Sequence, residues 1–285
     1  MVVLDGFHMM VVSQYFGRIS DFIELSFVCK KFTNIMEKFH YNPVPLLNNN
    51  INLFTHLETL YLYSKTDDLF ENKNFYRRVF LPKINYSEFV QLKKKTNVNV
   101  ECVNVMYTKE DVRKHGLVLP KEINHVDQFA YYQISIPQFT SFETSLKTIG
   151  QFAFSFCNNI QNLYIPKSVT SIDSYSFYKC TNLKSVSFGC SICRIGGLAF
   201  CECKSLVDVK LPEKLDKLEE VTFSGCAQLK TIEIPKSVTS IGNRCFLNCT
   251  NLESVVMGST LITFGVDVFY GCIFKLPTHI NKERL

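Results

Sequence analysis

Cysteine and phenylalanine recur with a period of 23 residues through the second half of the sequence, and this repeat constrains the fold more than any other feature. The cysteine column consists of Cys157, Cys180, Cys203, Cys226, Cys249 and Cys272. The phenylalanine column, three residues earlier, consists of Phe154, Phe177, Phe200, Phe223, Phe246 and Phe269. A period of roughly 20 to 50 residues is typical of stacked supersecondary units that bury their apolar faces against one another. The repeat therefore predicts a stack of coils from about Phe142 to Pro277.

Each unit also contains a short alternating apolar run, which is typical of a β-strand with one buried face. The predicted inward residues are Leu163, Val186, Val209, Ile232 and Val255 in one column and Ile165, Phe188, Leu211, Ile234 and Met257 in the next. Stacking would pair these strands in parallel, with phenylalanine and cysteine on the opposite side of each coil. Proline after the strand is expected to end the ladder because it has no N–H to donate. Glycine at Gly150, Gly196, Gly242 and Gly265 predicts either a positive φ or a close approach of two backbones.

The boundary of a unit is seen in residues 165–172, IPKSVTSI, which recur at residues 234–241. Continued through a small residue, phenylalanine, cysteine and leucine, this pattern resembles the BspA-like, or Treponema-type, class of leucine-rich repeats. The resemblance implies an α/β solenoid with a 23-residue period, parallel β-strands and a cap of N-terminal helices. Gly189 and Gly258 stand where other units have proline, and we interpret them as ordinary sequence drift between repeats.

Residues 1–45 are predicted to form a helical cap. From Ser20 onward the apolar residues are spaced three and four apart, which is one face of an amphipathic helix. These residues are Phe22, Leu25, Cys29, Phe32, Met36 and Phe39. Ser20 or Asp21 is expected to cap the start of the helix, and Pro43 prevents its continuation. A shorter helix is expected over residues 7–16.

The segment 28–32, VCKKF, resembles the end of an F-box motif. The resemblance implies that Phe22, Leu25, Val28, Cys29 and Phe32 dock a Skp1-like adaptor protein, so that the chain would present a target to a ubiquitin ligase. The alternative is a generic N-terminal cap. Together with the repeats, this start resembles the BspA-like proteins of amoebic protists.

The middle of the chain, residues 46–118, is expected to be an irregular segment related to leucine-rich repeats. The motif L-x-x-L-x-L at residues 57–62 predicts one strand of that type. Residues 64–118 are either diverged turns of the same solenoid or a small α/β linker domain. The regular repeats and the C-terminal end are assigned to residues 119–285.

No catalytic motif stands out, because the sequence lacks a Gly-rich phosphate loop, a His-Glu-x-x-His pair and a Gly-x-Ser-x-Gly elbow. We therefore predict a protein that is not an enzyme and needs no cofactor. Cys190, Cys193, Cys201 and Cys203 raise the alternative of a zinc site, but Cys203 belongs to the repeat, and free thiols are the favoured interpretation. The net charge of +5 is mild and residues 93–95 are the one tight basic run, so nucleic-acid binding is not predicted.

The remaining candidate site is the outward face of the predicted sheet, which stacked repeats present as a wide surface for a protein partner. Its centre column reads Tyr164, Ser187, Lys210, Glu233 and Val256, and its flanking column reads Gln161, Lys184, Val207, Lys230 and Glu253. The predicted partner-binding residues are Tyr164, Lys184, Ser187, Lys210, Lys230, Glu233, Glu253 and Val256. The alternative is unconstrained drift of residues that face solvent.

These features predict a non-catalytic scaffold for protein–protein interaction, in its sharper version an F-box-type substrate adaptor. The alternative is a cell-surface protein of adhesion or host interaction. Twelve cysteines without a secretory signal favour a reducing compartment. We therefore expect an intracellular location, cytoplasmic or nuclear, with peripheral association with the plasma membrane as a second setting. No run reaches the roughly 18 to 20 apolar residues that span a bilayer.

Overall fold

The computed structural model describes residues 5–136, 142, 145–259 and 262–274. The chain divides into two compact units between Val105 and Met106. The predicted end of the repeats at Pro277 lies outside the described residues.

The first unit contains three helices, four strands and three short 3₁₀ turns in its described part. In chain order these are α1 (Gly6–Ser13), α2 (Ile19–Val28), turns at Lys30–Phe32, Met36–Lys38 and Ile51–Leu53, β1 (Thr59–Leu62), β2 (Arg77–Phe80), β3 (Ile84–Asn85), α3 (Tyr86–Lys95) and β4 (Glu101–Cys102). Strands β1, β2 and β4 pair in parallel in that order. Leu60 and Leu62 belong to β1 and their side chains are buried, which confirms the strand predicted from the leucine motif.

The predicted long helix from Ser20 to Phe39 is wrong in its extent. Helix α2 ends at Val28, because Cys29 is extended with φ −155° and ψ 135°. Two 3₁₀ turns follow, and they bury Ile35, Met36 and Phe39. A 3₁₀ turn also repeats every three residues, so the apolar spacing does not distinguish it from a continuous helix.

The start of α2 also differs from the prediction. The N-cap is Arg18, and the Asp21 carboxylate accepts a hydrogen bond from the Arg18 backbone N–H at 3.1 Å. The buried ring of Phe22 meets Phe16, Phe39 and Phe54 edge to face. This aromatic cluster is the core beneath the N-terminal helices.

The strands from residue 105 onward, at the boundary between the two units, are short and regularly spaced. They are β5 (Val105–Tyr107), β6 (His125–Val126), β7 (Thr148–Ile149), β8 (Asn162–Ile165), β9 (Ser171–Ile172), β10 (Ser185–Phe188), β11 (Arg194–Ile195), β12 (Asp208–Lys210), β13 (Lys217–Leu218), β14 (Thr231–Ile234), β15 (Ser240–Ile241), β16 (Ser254–Met257) and β17 (Thr263–Phe264), with α4 (Lys109–His115) between β5 and β6.

The second unit is a parallel β-solenoid, as the repeat predicts. Strands β8, β10, β12, β14 and β16 form one parallel sheet in sequence order. In its register Ser185 lies beside Asn162, and Ser254 beside Thr231. The two-residue strands pair along other sides of the coils, with β13, β15 and β17 forming a separate sheet.

The phenylalanine and cysteine columns form the core opposite the five-stranded sheet. Rings of successive coils, from Phe154 to Phe269, are stacked with centroids 5.3–5.7 Å apart and planes within 6° of parallel. Each cysteine thiol donates a hydrogen bond to a phenylalanine or tyrosine carbonyl of the preceding coil; Cys180, for example, donates to Phe154 O at 3.1 Å. The cysteines are therefore packing residues that also satisfy buried carbonyls.

Two positions in each coil adopt a left-handed backbone conformation, which the sequence signals only where glycine occupies the second position, at Gly225 and Gly271. In one coil the two positions are Phe152 with φ 55° and Phe156 with φ 62°. A left-handed non-glycine residue costs about 1–2 kcal/mol. Here the N–H groups of both residues donate to carbonyls of the next coil, at 3.3 Å and 2.8 Å, and these bonds offset the strain.

The repeated glycine column is explained by close approach rather than by positive φ. Gly150 has a negative or extended φ, and a Cβ built there would lie 2.7 Å from the carbonyl oxygen of Val126 in the neighbouring coil. Of the two reasons predicted for this column, the close approach of backbones is the right one.

Candidate functional site

The predicted partner-binding residues lie on the outward side of the five-stranded sheet or immediately before its strands. Along β8 the burial alternates, with Asn162 and Tyr164 exposed and Leu163 and Ile165 buried. Alternation of this kind points successive side chains to opposite faces of a strand. We define the sheet face as the exposed residues of β8, β10, β12, β14 and β16 together with the residue before each strand.

The structure brings the eight predicted residues together in two parallel columns of the sheet face. All eight are exposed, including the apolar side chains of Tyr164, by 47%, and Val256, by 56%. Val207, from the flanking column, is 46% exposed and adds a third apolar contact point.

The prediction missed a third column that shares this face. Its members are Asn162, Ser185, Asp208, Thr231 and Ser254, each two residues before the centre column. The period-two alternation of a strand is the signal that would have found them, because stepping back by two from Tyr164 reaches Asn162 and not Gln161. Within this column the Ser185 hydroxyl donates to Asn162 Oδ1 at 2.8 Å.

The side chains of six charged residues of the sheet face have no ion-pair or hydrogen-bonding partner among the described residues. They are Lys184, Asp208, Lys210, Lys230, Glu233 and Glu253. Opposite charges lie side by side here, since Lys210 and Glu233 occupy neighbouring strands in direct register. Neither makes an ion pair in the described part of the chain, so both charges point into solvent.

Charges on another side of the same coils behave differently. Arg194 pairs with Asp173 at 3.7 Å, and Arg244 pairs with Asp267 at 3.4 Å. Both pairs link consecutive coils and are partly exposed, so each is worth about 0–1 kcal/mol. The contrast shows that this fold can hold charges in pairs between coils and does not do so on the sheet face.

A shallow groove of about 370 Å³ crosses the sheet face between β12, β14 and β16. Its walls include Lys210, Glu233, Glu213, Pro235 and Val256. Strand β12 is shorter than its neighbours, and only Lys210 and Glu233 pair it with β14. The groove therefore combines opposite charges with an apolar end, which suits a protein side chain better than a single small anion.

The F-box-like residues are divided between the core and the surface of the first unit. Phe22 and Leu25 are buried, and Phe32 is half-buried. Val28 and Cys29 are exposed, Val28 by 76%. Phe27, which the motif did not single out, is 82% exposed.

The four clustered cysteines do not converge. Cys190 and Cys193 are exposed, whereas Cys201 and Cys203 are buried. Burial raises the pKa of the Cys201 thiol to about 11, so this thiol stays protonated near neutral pH. No group of three or more histidine, cysteine, aspartate or glutamate side chains able to hold a metal ion exists among the described residues.

The basic run at residues 93–95 lies in the last turn of α3 and is exposed. Lys93 donates from Nζ to the Val100 carbonyl at 2.7 Å, across the end of the helix. Lysines in this place also interact favourably with the helix dipole. Within the described residues, no helix has the length and apolar character needed to cross a bilayer.

Comparison with known families matches the repeats to one family model. The model described as the BspA type leucine rich repeat region matches residues 109–196 and 189–282, in six copies. These residues include every strand of the sheet face. No curated protein is similar enough to the chain to count as a match.

Several solved structures of bacterial leucine-rich repeat proteins are similar to the chain. The T. pallidum protein TpLRR is 28% identical over 56% of this chain and 77% of its own, with a TM-score of 0.47. A protein from Eubacterium ventriosum is 16% identical over 80% of each chain, with a TM-score of 0.53. A leucine rich cell surface protein from Faecalibacterium prausnitzii is 18% identical over 79% of this chain and 75% of its own, with a TM-score of 0.41. At 16% identity, the similarity to the Eubacterium ventriosum protein shows a shared fold and nothing more.

Proposed function

The chain belongs to the BspA-type leucine-rich repeat family, and from this premise we propose that it is a non-catalytic scaffold that holds a protein partner on its sheet face. The observation that carries the proposal is the set of six charges on that face that lack partners among the described residues. The family is one of binding proteins, and stacked repeats offer extended binding surfaces.

Electrostatics explain why unpaired charges support a binding role. An exposed ion pair contributes about 0–1 kcal/mol, so leaving Lys210 and Glu233 unpaired costs the free protein little. A bound partner excludes water from the sheet face, which strengthens each contact between a charge of the face and a charge of the partner. These contacts fix the position of the partner along the face. Tyr164, Val207 and Val256 would supply the apolar contacts, with Tyr164 the strongest anchor because tyrosine is enriched in interface hot spots.

A charge-reversal experiment tests the proposal. In the face variant, Lys184, Lys210 and Lys230 are changed to Glu; in the control variant, the exposed lysines Lys114, Lys121 and Lys147 are changed to Glu, which alters the net charge equally. Proteins captured by the wild-type chain are identified and purified, and their Kd values for the wild type, the face variant and the control variant are measured.

We expect the face variant to bind at least about tenfold more weakly, which corresponds to about 1.4 kcal/mol. Its thermal unfolding should match that of the control, because surface changes of this kind shift stability by about 0.5 kcal/mol or less. A partner that both variants bind with the wild-type Kd would place the interaction elsewhere and contradict the proposal.

The setting of the scaffold is a second question, with two versions. In one, the chain is a cell-surface protein; the matched Faecalibacterium protein carries that description, although the likeness is one of fold. In the other, the chain works inside the cell. Labelling intact cells with a membrane-impermeant thiol reagent separates them, since exposed Cys190 and Cys193 react only in the surface version.

The most specific version of the proposal is an F-box-type adaptor. This version depends on the N-terminal segment that contains the F-box-like residues. The family match begins at residue 109 and adds nothing to it. With Phe22 and Leu25 in the core, an adaptor would meet Phe27 and Val28. Wild-type protein and a Tyr76→Asp control should retain a purified Skp1-like protein, whereas Phe27→Asp with Val28→Asp should lose it. Failure of the wild type to bind would end the adaptor version and leave sheet-face binding untouched.

A further inference from the structure

The last cysteine of the repeat column differs from the five before it. Cys157, Cys180, Cys203, Cys226 and Cys249 are completely buried. Cys272 is half-buried, so it is the member of the column that a small reagent in solvent can reach. Its thiol otherwise follows the pattern and donates to Phe246 O at 3.1 Å.

Cys272 and Cys249 occupy the same position of consecutive coils. The coils are joined on both sides of the pair, because Phe246 N–H donates to Val268 O at 2.9 Å and Asn248 N–H donates to Tyr270 O at 2.8 Å. Stacked parallel backbones lie about 4.7–4.9 Å apart. Disulfides join Cα atoms about 4.4–6.8 Å apart, so the spacing between these two coils is compatible with a bond.

The two thiols also affect each other's protonation. Interaction with the neighbouring Cys249 thiol lowers the pKa of the Cys272 thiol, against the opposing effect of partial burial. The same interaction, together with burial, raises the pKa of the Cys249 thiol. The accessible thiol is thus the better nucleophile, and the buried one is held in the position of a resolving thiol.

We propose that Cys249 and Cys272 are a modification site, at which a low-molecular-weight disulfide such as oxidised glutathione converts the two thiols into one intramolecular disulfide. This inference is independent of the proposed function, since it concerns the end of the core and not the sheet face.

The reaction balances in two exchange steps. The Cys272 thiolate attacks one sulfur of oxidised glutathione, forms a mixed disulfide and releases one glutathione thiolate. The Cys249 thiol then loses its proton to solvent and attacks the Cys272 sulfur, which releases the second glutathione thiolate. The two protein thiols are oxidised by two electrons, and one glutathione disulfide is reduced to two molecules of glutathione.

The consequence of the bond is that the coil of Cys272 is joined covalently to the coil before it. In a repeat protein each coil is stabilised mainly by its contacts with its neighbours. Cys272 lies 23 positions after Cys249, and the segment between them contains β16 and β17. The disulfide would therefore hold the end of the sheet in place under oxidising conditions.

The test uses the full-length chain in which the exposed Cys29, Cys190 and Cys193 are replaced by Ser. The protein is equilibrated in glutathione buffers of increasing oxidised fraction, the remaining thiols are alkylated, and the peptides are mapped by mass spectrometry. We expect a cross-linked peptide that joins Cys249 to Cys272. Amide exchange of residues 262–272 should slow by at least tenfold in the oxidised protein.

Two matched variants distinguish this pair from its neighbours. Cys249→Ala should convert the product into a lasting mixed disulfide at Cys272, whereas Cys226→Ala, which removes an equally buried thiol one coil away, should leave the cross-link intact. Accumulation of the mixed disulfide in the parent protein, or a Cys272 thiol that stays unmodified in the most oxidising buffer, would overturn the proposal.

Discussion

At the scale of the residue, the stacked phenylalanine rings are the largest repeated contribution to the core. Phe200 is completely buried between Phe177 and Phe223, with centroids at 5.3 Å and 5.6 Å. Phe200→Ala should lower the free energy of unfolding by about 3–5 kcal/mol, because it removes buried area and leaves a cavity. Urea denaturation measures this change. Tyr164→Ala on the sheet face is the control, and a similar loss there would show that the effect is not due to the stack.

The buried thiols make stability depend on alkaline pH. Burial raises the pKa of Cys157 and of Cys245 to about 12, whereas an unfolded thiol titrates near about 8.5. The folded protein therefore holds protons that the unfolded chain loses. The stabilisation is complete below about pH 8.5 and is lost as the pH rises towards 12, by about 1.4 kcal/mol per pH unit for each thiol.

Denaturation under reducing conditions between about pH 9 and pH 11 measures this slope. Cys157→Ala should reduce its magnitude by about 1.4 kcal/mol per pH unit. Ser187→Ala, an exposed position on the sheet face without a thiol, should leave the slope unchanged. Equal slopes in wild type and Cys157→Ala would mean that the buried thiol does not carry the effect.

The identity of the core residues could be predicted from the sequence, whereas their backbone conformations could not. The period alone placed Phe154 and Cys157 in the core, because only stacked units repeat apolar residues in this way. Nothing in the residue types marks Phe152 or Phe156 as left-handed, since phenylalanine has no preference for positive φ. Hydrogen bonds between coils impose that conformation, and they exist only after stacking.

At the scale of the element, the end of each strand depends on whether proline or glycine follows it. Pro166 and Pro235 have no N–H and end the ladder. Gly189 occupies the same column, and its N–H donates to Ile165 O at 2.7 Å, which extends the ladder by one bond. This additional bond draws the backbones together, so a Cβ at Gly189 would overlap the backbone of Lys167.

Gly189→Ala should therefore destabilise the solenoid, by about 1–3 kcal/mol for an overpacked position. Thermal and urea unfolding measure the loss. Gly17→Ala is the matched control, because a Cβ at Gly17 would meet no atom within 4 Å. An unchanged stability in Gly189→Ala would mean that the strand end relaxes freely, and that glycine in this column is only sequence drift.

Elements with strict periodicity were predictable, and elements built from irregular contacts were not. The apolar spacing that predicted one helix from Ser20 to Phe39 is also satisfied by α2 and two 3₁₀ turns, because Met36 and Phe39, three residues apart, are buried by a 3₁₀ turn as they would be by a helix. On the sheet face, the column of Asp208 was missed because the prediction stepped back three residues from the centre column, whereas a strand returns to the same face after two. Strand alternation, rather than repeat spacing, decides which residues share a face.

At the scale of the whole molecule, the repeat predicted the second unit far better than the first. From β6 onward the paired strands of the second unit follow one period, so a single observation fixes strand, core column and register together. In the first unit, β2 follows β1 with Thr59 aligned to Arg77, and β4 follows β2 with Val79 aligned to Glu101. These unequal offsets leave no period to read, and the packing of Phe22 and Phe54 depends on contacts between distant residues.

A solenoid of this kind should also distribute its stability coil by coil. Each coil contacts only its neighbours, so opening of the last coil need not disturb the centre. Phe269 stacks on Phe246 at the end of the described column and is half-buried, whereas Phe200 has a ring on each side. Phe269→Ala should therefore speed amide exchange by at least about tenfold in residues 262–272, and leave residues 171–200 unchanged.

Phe200→Ala should instead speed exchange in the coils on both of its sides, because the lost ring contacts belong to two interfaces. Hydrogen exchange followed by mass spectrometry resolves the two cases in the full-length chain. The two variants should differ because each coil is coupled only to its nearest neighbours. The effect of Phe269→Ala then stays near its own coil, whereas the effect of Phe200→Ala reaches the coils on both sides. If Phe269→Ala accelerated exchange to the same extent in the central coils, the second unit would unfold as a single cooperative block, and the coil-by-coil account of its stability would be wrong.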